Sequence, residues 1–354
     1  MTVSGTVSTT TFNTNRVIDH AFRRCRLPPQ AITSEMQTVA QDILYLMLSD
    51  FANRGIQLWT IEKLILPMQY GVMRVPMPAG TIDVMNTNLR TLQRLSGQVS
   101  DSQGLVNTDK YAFDGDLTTS LQQTVPNGWI QIDFLSGTRV TNVGVNMFVG
   151  GTYNIVFEVS NDGVNWVTAL APGVTTYTAG IWQWYDIEGA QTAEFIRMRE
   201  TGGSILNVAE FYAGAQPSEI PFARLNQDDY TNLPNKQFLG RPLQFWYDRQ
   251  RDTHYLTLWP TPDANAVFNQ IVTWRRRYIM DVGTLTQSLD IPQRWYEGIV
   301  ACLAWRLAIE TPAVDPSMVN ILKPLADEAV MIMQDEERDN SPMKIAPNIS
   351  VYTR

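Results

Sequence analysis

The side chains able to move protons or attack a carbonyl are few and scattered. The two histidines, His20 and His254, lie in unrelated segments. The carboxylate pairs Asp228-Asp229 and Glu336-Glu337 are adjacent in sequence, and adjacent residues on a helix do not face a common site. Cys25 and Cys302 stand far apart in helical stretches and read as free buried thiols in a reducing compartment. There is no zinc-type Cys spacing, P-loop, G-x-S-x-G or H-E-x-x-H. The expectation is therefore no enzyme, no catalytic residue and no required cofactor. The densest basic cluster is Trp274-Arg275-Arg276-Arg277-Tyr278. On a strand Arg275 and Arg277 share one face and Arg276 takes the other. The cluster reads first as an interface between subunits and second as a DNA contact; a strand-edge ion pair is the plain alternative. The acidic run Asp335-Glu336-Glu337 opposes the dipole of the last helix, which fits a solvated face or a partner's cations.

These residues must be positioned by a chain of 354 residues with 44% hydrophobic content and a net charge of −8. That length suits two domains. The acidic balance argues against gripping nucleic acid, which needs a basic surface. It is compatible with a channel wall past which DNA slides. Met1 to Asn15 is Ser/Thr-rich and lacks the basic and apolar regions of a signal peptide. The apolar run Ile299 to Ile309 is broken by Arg306 and is too short to span a bilayer. The expected setting is the cytoplasm or a particle assembled there, with no membrane partner.

Helical periodicity marks both ends. Asn13 or Thr14 caps a helix to about Cys25, with Phe12 as staple, and Pro28-Pro29 stop it. Ser34 and Gln37 have capping-box spacing at the start of a longer helix ending near Gly55. Short extended pieces follow, and Ser96 to Gly104 reads as a polar linker. From Leu105 to Ala213 the chain reads as strands. Trp129-Ile-Gln-Ile-Asp-Phe134 alternates strictly, and Ser160-Asn-Asp-Gly163 makes a tight turn. After Pro217 come further strands, then a helix from Pro292 and a last helix capped by Asp315 with Pro316 at its start. Neither helix pair can bury its stripe alone, so the two pairs are expected to pack as a four-helix bundle.

The strand-rich segment resembles a known family. Ala112-Phe-Asp114-Gly115-Asp116-Leu-Thr-Thr119, Gly128-Trp-Ile-Gln-Ile-Asp133-Phe and Phe157-Glu-Val-Ser160-Asn-Asp162-Gly163-Val-Asn-Trp166 look like the discoidin (coagulation factor 5/8 C-type) family. Phe195-Ile-Arg-Met-Arg199 and Val208-Ala-Glu210-Phe-Tyr fit its ending. Leu121 departs from the Trp usual there. The resemblance implies an eight-stranded jelly roll that binds sugars, lipids or proteins through variable loops. It also implies a structural calcium held by Asp114, Asp116, Thr119 and Glu210. Hard oxygen ligands at a Gly-containing turn suit that ion; the alternative is that the aspartates only satisfy turn amides. Sugar binding requires exposed aromatics on loops, whereas Trp129 and Trp166 read as core.

The flanks resemble a second family, the head-to-tail adaptors of short-tailed bacteriophages. The residues that carry it are Asn53-Arg-Gly-Ile-Gln-Leu-Trp59, Gly240-Arg-Pro242, Phe245-Trp-Tyr-Asp248-Arg249, Leu256-Thr-Leu-Trp-Pro260-Thr-Pro262 and Asp290-Ile-Pro292-Gln-Arg-Trp295. The implied fold class is α+β multidomain, a four-helix bundle frame split by an inserted all-β discoidin-like sandwich. The expected boundaries are 1–100 and 217–339 for the frame halves, 104–214 for the sandwich and 340–354 for an extended tail. The implied protein is a structural component of the virion's head–tail junction, assembled in the host cytoplasm. It forms a homo-oligomeric ring, commonly of twelve copies, under the portal protein, with double-stranded DNA passing through. Tail nozzle or fibre proteins are further partners, and the tail, with Ile345, Val351 and Tyr352, reaches the portal. The alternative is a carbohydrate-binding or adhesion protein acting through the sandwich.

Overall fold

A computed structural model describes residues 12–54, 58–105 and 109–337. The expected tail with Ile345, Val351 and Tyr352, and the helix stop at Gly55, lie outside the described residues. The chain divides into two compact units, Met1–Ile61 with Arg277–Arg354, and Glu62–Arg276.

The first unit holds α1 (Thr14–Arg24) and α2 (Ser34–Arg54). The short α3 (Gln227–Thr231) belongs to the other unit. From the far end of the chain come α4 (Tyr296–Glu310) and α5 (Ser317–Glu336). Asn13 caps α1 as expected, its side chain accepting from the Arg16 amide at 3.1 Å. At α2 the cap lies one residue earlier than expected: the Thr33 hydroxyl accepts from the Met36 amide. Val17, Ile18 and Phe22 of α1 share one core with Ile43, Leu44 and Met47 of α2, Ile299, Leu303 and Leu307 of α4, and Met318 and Leu322 of α5. Every residue from Gly298 to Ala304 is buried, so α4 is apolar all round, as a helix enclosed by others must be. Cys25 and Cys302 are free and buried, and burial pushes both thiols up to about 11.

The second unit is built of strands. In chain order they are β1 (Ile61–Pro67), β2 (Arg74–Pro76), β3 (Thr81–Arg94), β4 (Gln98–Asp101), β5 (Leu121–Gln122), β6 (Trp129–Met147), β7 (Gly151–Ser160) and β8 (Val167–Tyr177). Then follow β9 (Trp182–Glu200), β10 (Asn207–Pro221), β11 (Ala223–Leu225), β12 (Leu239–Gly240), β13 (Gln244–Asp248), β14 (Tyr255–Trp259), β15 (Thr261–Pro262) and β16 (Gln270–Arg277). β4 to β10 form a jelly-roll sandwich. β6 and β9 pair along most of their length, with a register break between Asp133 and Thr138. Before the break β6 pairs with β4, and after it with β10. Each long strand thus serves both layers around one core, into which Ile130, Ile132 and Phe134 point by the expected alternation.

The sandwich is not spliced in by passive linkers. Ser96 to Gly104, read as a linker, contains β4, whose polar residues suit an edge strand with only one flank paired. β10 leaves β6 at Gly214 and continues to Pro221 along β3, with a bulge between Ala215 and Ser218. One sheet path therefore runs β1-β16-β3-β10-β6-β9-β7-β8. Trp182, Trp184 and Tyr212 pack on this path against Ile65, Leu92, Val267 and Phe268 from strands and turns outside the sandwich. A separate four-stranded sheet, β11-β13-β14-β2, covers a third core containing Phe245, Leu256 and Leu258.

Candidate functional site

The acidic loop follows a short turn, Asp109–Ala112, and bends at Gly115, whose φ of +82° suits glycine. Asp114 Oδ1 accepts from the Asp116 amide at 2.8 Å, and its Oδ2 accepts from the Thr119 hydroxyl at 2.9 Å. Asp116 Oδ1 accepts from the Thr118 amide and hydroxyl. Glu210, on β10, is fully buried beneath the loop. Its Oε1 accepts from the Gly115 amide, and its Oε2 accepts from Arg94 Nη2 at 2.7 Å. The same Arg94 nitrogen donates to the Phe113 carbonyl at 3.0 Å. Burial pushes the Glu210 carboxyl up to about 7, against the pull of Arg94 and the Gly115 amide.

The four residues expected around calcium are thus brought together, but their oxygens face N–H and O–H donors. Calcium needs six to eight oxygens converging on one point. Among the described residues no three His, Cys, Asp or Glu side chains are grouped to hold a metal. A guanidinium bridges the loop carbonyl and the strand carboxylate.

The basic cluster is engaged within the chain. Arg275 is nearly buried and donates to Glu62 Oε2 at 2.9 Å and to the Thr81 hydroxyl at 2.9 Å. Arg277 pairs with Asp290 at 2.5 Å. Arg276 is half-buried on the opposite face, as the strand period requires. Its two neighbours therefore hold structure, which removes most of the charge an acidic partner or DNA would read. The acidic run behaves likewise: Glu337 is buried, accepting from Arg294 Nε at 2.8 Å, the Leu58 amide at 3.0 Å and the Trp295 indole at 3.2 Å. Asp228 and Asp229 are exposed in the first turn of α3, and His254 shares a hydrogen bond with the Tyr247 hydroxyl.

The loop end of the sandwich is formed by residues 123–128, 148–151, 178–181 and 201–207. Asn127 donates its amide to the Ser204 carbonyl, the Phe148 amide donates to Asn207, and the Gly180 amide to Met147. Asn127 Oδ1 accepts from the Gly203 amide. Phe148 is 40% exposed here, and Val149, Val125 and Ile205 of these loops are exposed as well. Of the module's tryptophans, Trp182 and Trp184 are buried, Arg197 lies 3.9 Å over the Trp166 ring, and Trp129, expected in the core, is half-buried at the start of β6. Phe148 is not among the expected site residues, although an aromatic two positions before Gly150-Gly151 is a readable loop signal.

A wider cleft lies on the outer face of the four-stranded sheet. Trp246 stacks on Tyr230 at 5.0 Å, and Arg74 sits 4.2 Å over Tyr255. Its central carboxylate, Asp248, is already taken by Arg74 and Gln250.

The fold and loop layout of the sandwich are those of a discoidin-like jelly roll. Residues 96–211 match the F5/8 type C domain, and that domain is present in this chain. Among solved structures, the chain is similar to chitosan-binding module 1 from the chitosanase/glucanase of Paenibacillus sp. IK-5, at 24% identity over 35% of this chain and 99% of that one, with a TM-score of 0.30. It is similar to CBM62 from Clostridium thermocellum Xyl5A, at 25% identity over 35% and 98%, with a TM-score of 0.32. It is also similar to a Streptococcus pneumoniae fucose binding module, at 16% identity over 35% and 96%, with a TM-score of 0.30. No curated protein matches the chain.

Proposed function

We propose that the chain is a carbohydrate-binding protein acting through its F5/8 type C domain, with the loop end around Phe148 as the site. The observation that carries this reading is the exposure of Phe148 on that loop end. A sugar ring lays its C–H face on an aromatic face, and nearby polar groups fix its hydroxyls. The Asn127–Ser204 and Phe148–Asn207 backbone hydrogen bonds hold the surrounding loops in place. A glycan array probed with the full chain tests the reading. Binding to a defined glycan class, lost in Phe148→Ala, is expected; no binding to any glycan would overturn it.

A second reading rests on α5. Ile321, Leu325 and Ile332 share one face of that helix and are 49%, 51% and 58% exposed. In this reading the helices form a four-helix bundle frame whose uncovered α5 face packs against the next copy in a head-to-tail adaptor ring that docks on a portal. Negative-stain images of the purified chain with portal protein test it. Rings are expected; a monomer that ignores the portal would overturn it.

A further inference from the structure

We propose that Arg94 is the resident cation of the acidic loop, standing where the domain would otherwise hold calcium, so that the domain is secured by a neighbouring strand and not by a metal. A fully buried carboxylate such as Glu210 needs a positive counterpart, because taking a charge out of water costs several kcal/mol. Calcium meets that need by drawing loop carbonyl and carboxylate oxygens onto one ion. Arg94 Nη2 makes the same bridge, 2.7 Å from Glu210 Oε2 and 3.0 Å from the Phe113 carbonyl. Its guanidinium is steadied 5.3 Å over the Tyr212 ring, and its other nitrogen lies beside Gly115, 3.6 Å from where a Cβ would stand.

The source of this cation matters as much as its position. Arg94 is the last residue of β3, two positions before the matched domain begins. β3 holds it there because Gly214 and Ala215 of β10 pair with Arg94 and Gln93. The charge that completes the loop is therefore supplied from outside the domain, through the strand that anchors β10. Glu210 lies four residues upstream of Gly214 on the same β10, so anchoring and charge neutralisation are one connection.

The test uses the full chain in EGTA and in millimolar calcium, followed by thermal melting and calorimetric titration with calcium. The wild-type chain is expected to melt within about 1 °C in both conditions and to show no saturable calcium heat. Arg94→Gln removes the charge and leaves a neutral amide donor on a shorter side chain. It is expected to melt about 5 °C lower in EGTA, on the order expected for a domain of this size. Arg94→Lys keeps the charge and is expected to remain insensitive to calcium. Wild-type protein that takes up one calcium and is stabilised by it would overturn the proposal. So would an Arg94→Gln melt in EGTA equal to wild type, or a Lys variant that comes to depend on calcium.

Discussion

Arg90 of β3 reaches Asp186 of β9, with 2.6 Å between Nη1 and Oδ1, while its other nitrogens hold Glu219 of β10. The guanidinium is only 5% exposed. One side chain thus ties the sandwich to the strand that precedes it, and Lys63 and Asn142 complete the shell around Asp186. Arg90→Met is expected to leave two carboxylates facing each other without their shared cation. Both carboxylates are about a third exposed. The full penalty for breaking a buried pair is therefore discounted, to about 2–3 kcal/mol in urea denaturation. A loss below about 0.5 kcal/mol, the scale of a surface pair, would show that the network is ornamental.

Gly144 and Trp184 are partners across β6 and β9, and a Cβ at position 144 would enter the indole ring. That ring has nowhere to go, since it stacks on Trp182 at 4.6 Å and abuts Tyr212 at 5.1 Å. Gly144→Ala is expected to cost about 1–3 kcal/mol or more by overpacking. Tryptophan fluorescence and denaturant midpoints would register it, and Trp184→Leu should relieve part of the loss.

Acid should loosen the sandwich through Glu158. Burial raises its pKa, but hydrogen bonds from Arg199 and Arg197 outweigh that and hold the carboxyl below its usual 4.5. A folded-state pKa below the unfolded value adds stability that is complete above about pH 4.5 and disappears as pH falls through the folded value. Glu158→Gln is therefore expected to be less stable than wild type at neutral pH, with the gap closing as acid is added. A gap that does not change with pH would contradict the assignment.

The strands of the sandwich were legible because their period is local. Trp129 to Phe134 alternates with the burial observed, and the Ser160 to Gly163 turn is closed by its own Asp162. What stayed hidden was set by distant residues. Glu62 meets Arg275 across 213 positions, and Arg94 meets Glu210 across 116, so no local pattern announces either pair. Hence local pattern alone leaves the arginine cluster open between an interface and an ion pair, and the acidic loop open between a calcium site and turn-amide acceptors. The expected sandwich boundary at Gly214 is where β10 leaves β6, but the same strand runs on past Pro217 along β3, because the bulge at Ala215 to Ser218 accommodates a proline where regular pairing would not.

Glu337, expected on a solvated face or against a partner's cations, is a buried acceptor for Arg294, Trp295 and Leu58 of its own chain. Glu337→Ala is expected to cost about 2–4 kcal/mol, because buried donors lose their acceptor and Arg294 its partner. Equilibrium unfolding checks this; a change within about 0.5 kcal/mol would place the residue among ordinary surface charges.

The most direct measurement of the central claim is calorimetric titration of an array-selected glycan into the wild-type chain and into Phe148→Ala. The account predicts saturable one-site binding by the wild type. It predicts at least a tenfold weaker Kd in the variant, about 1.4 kcal/mol, with an unchanged melting temperature. Equal affinity in the two proteins, or no saturable binding by the wild type, would contradict it.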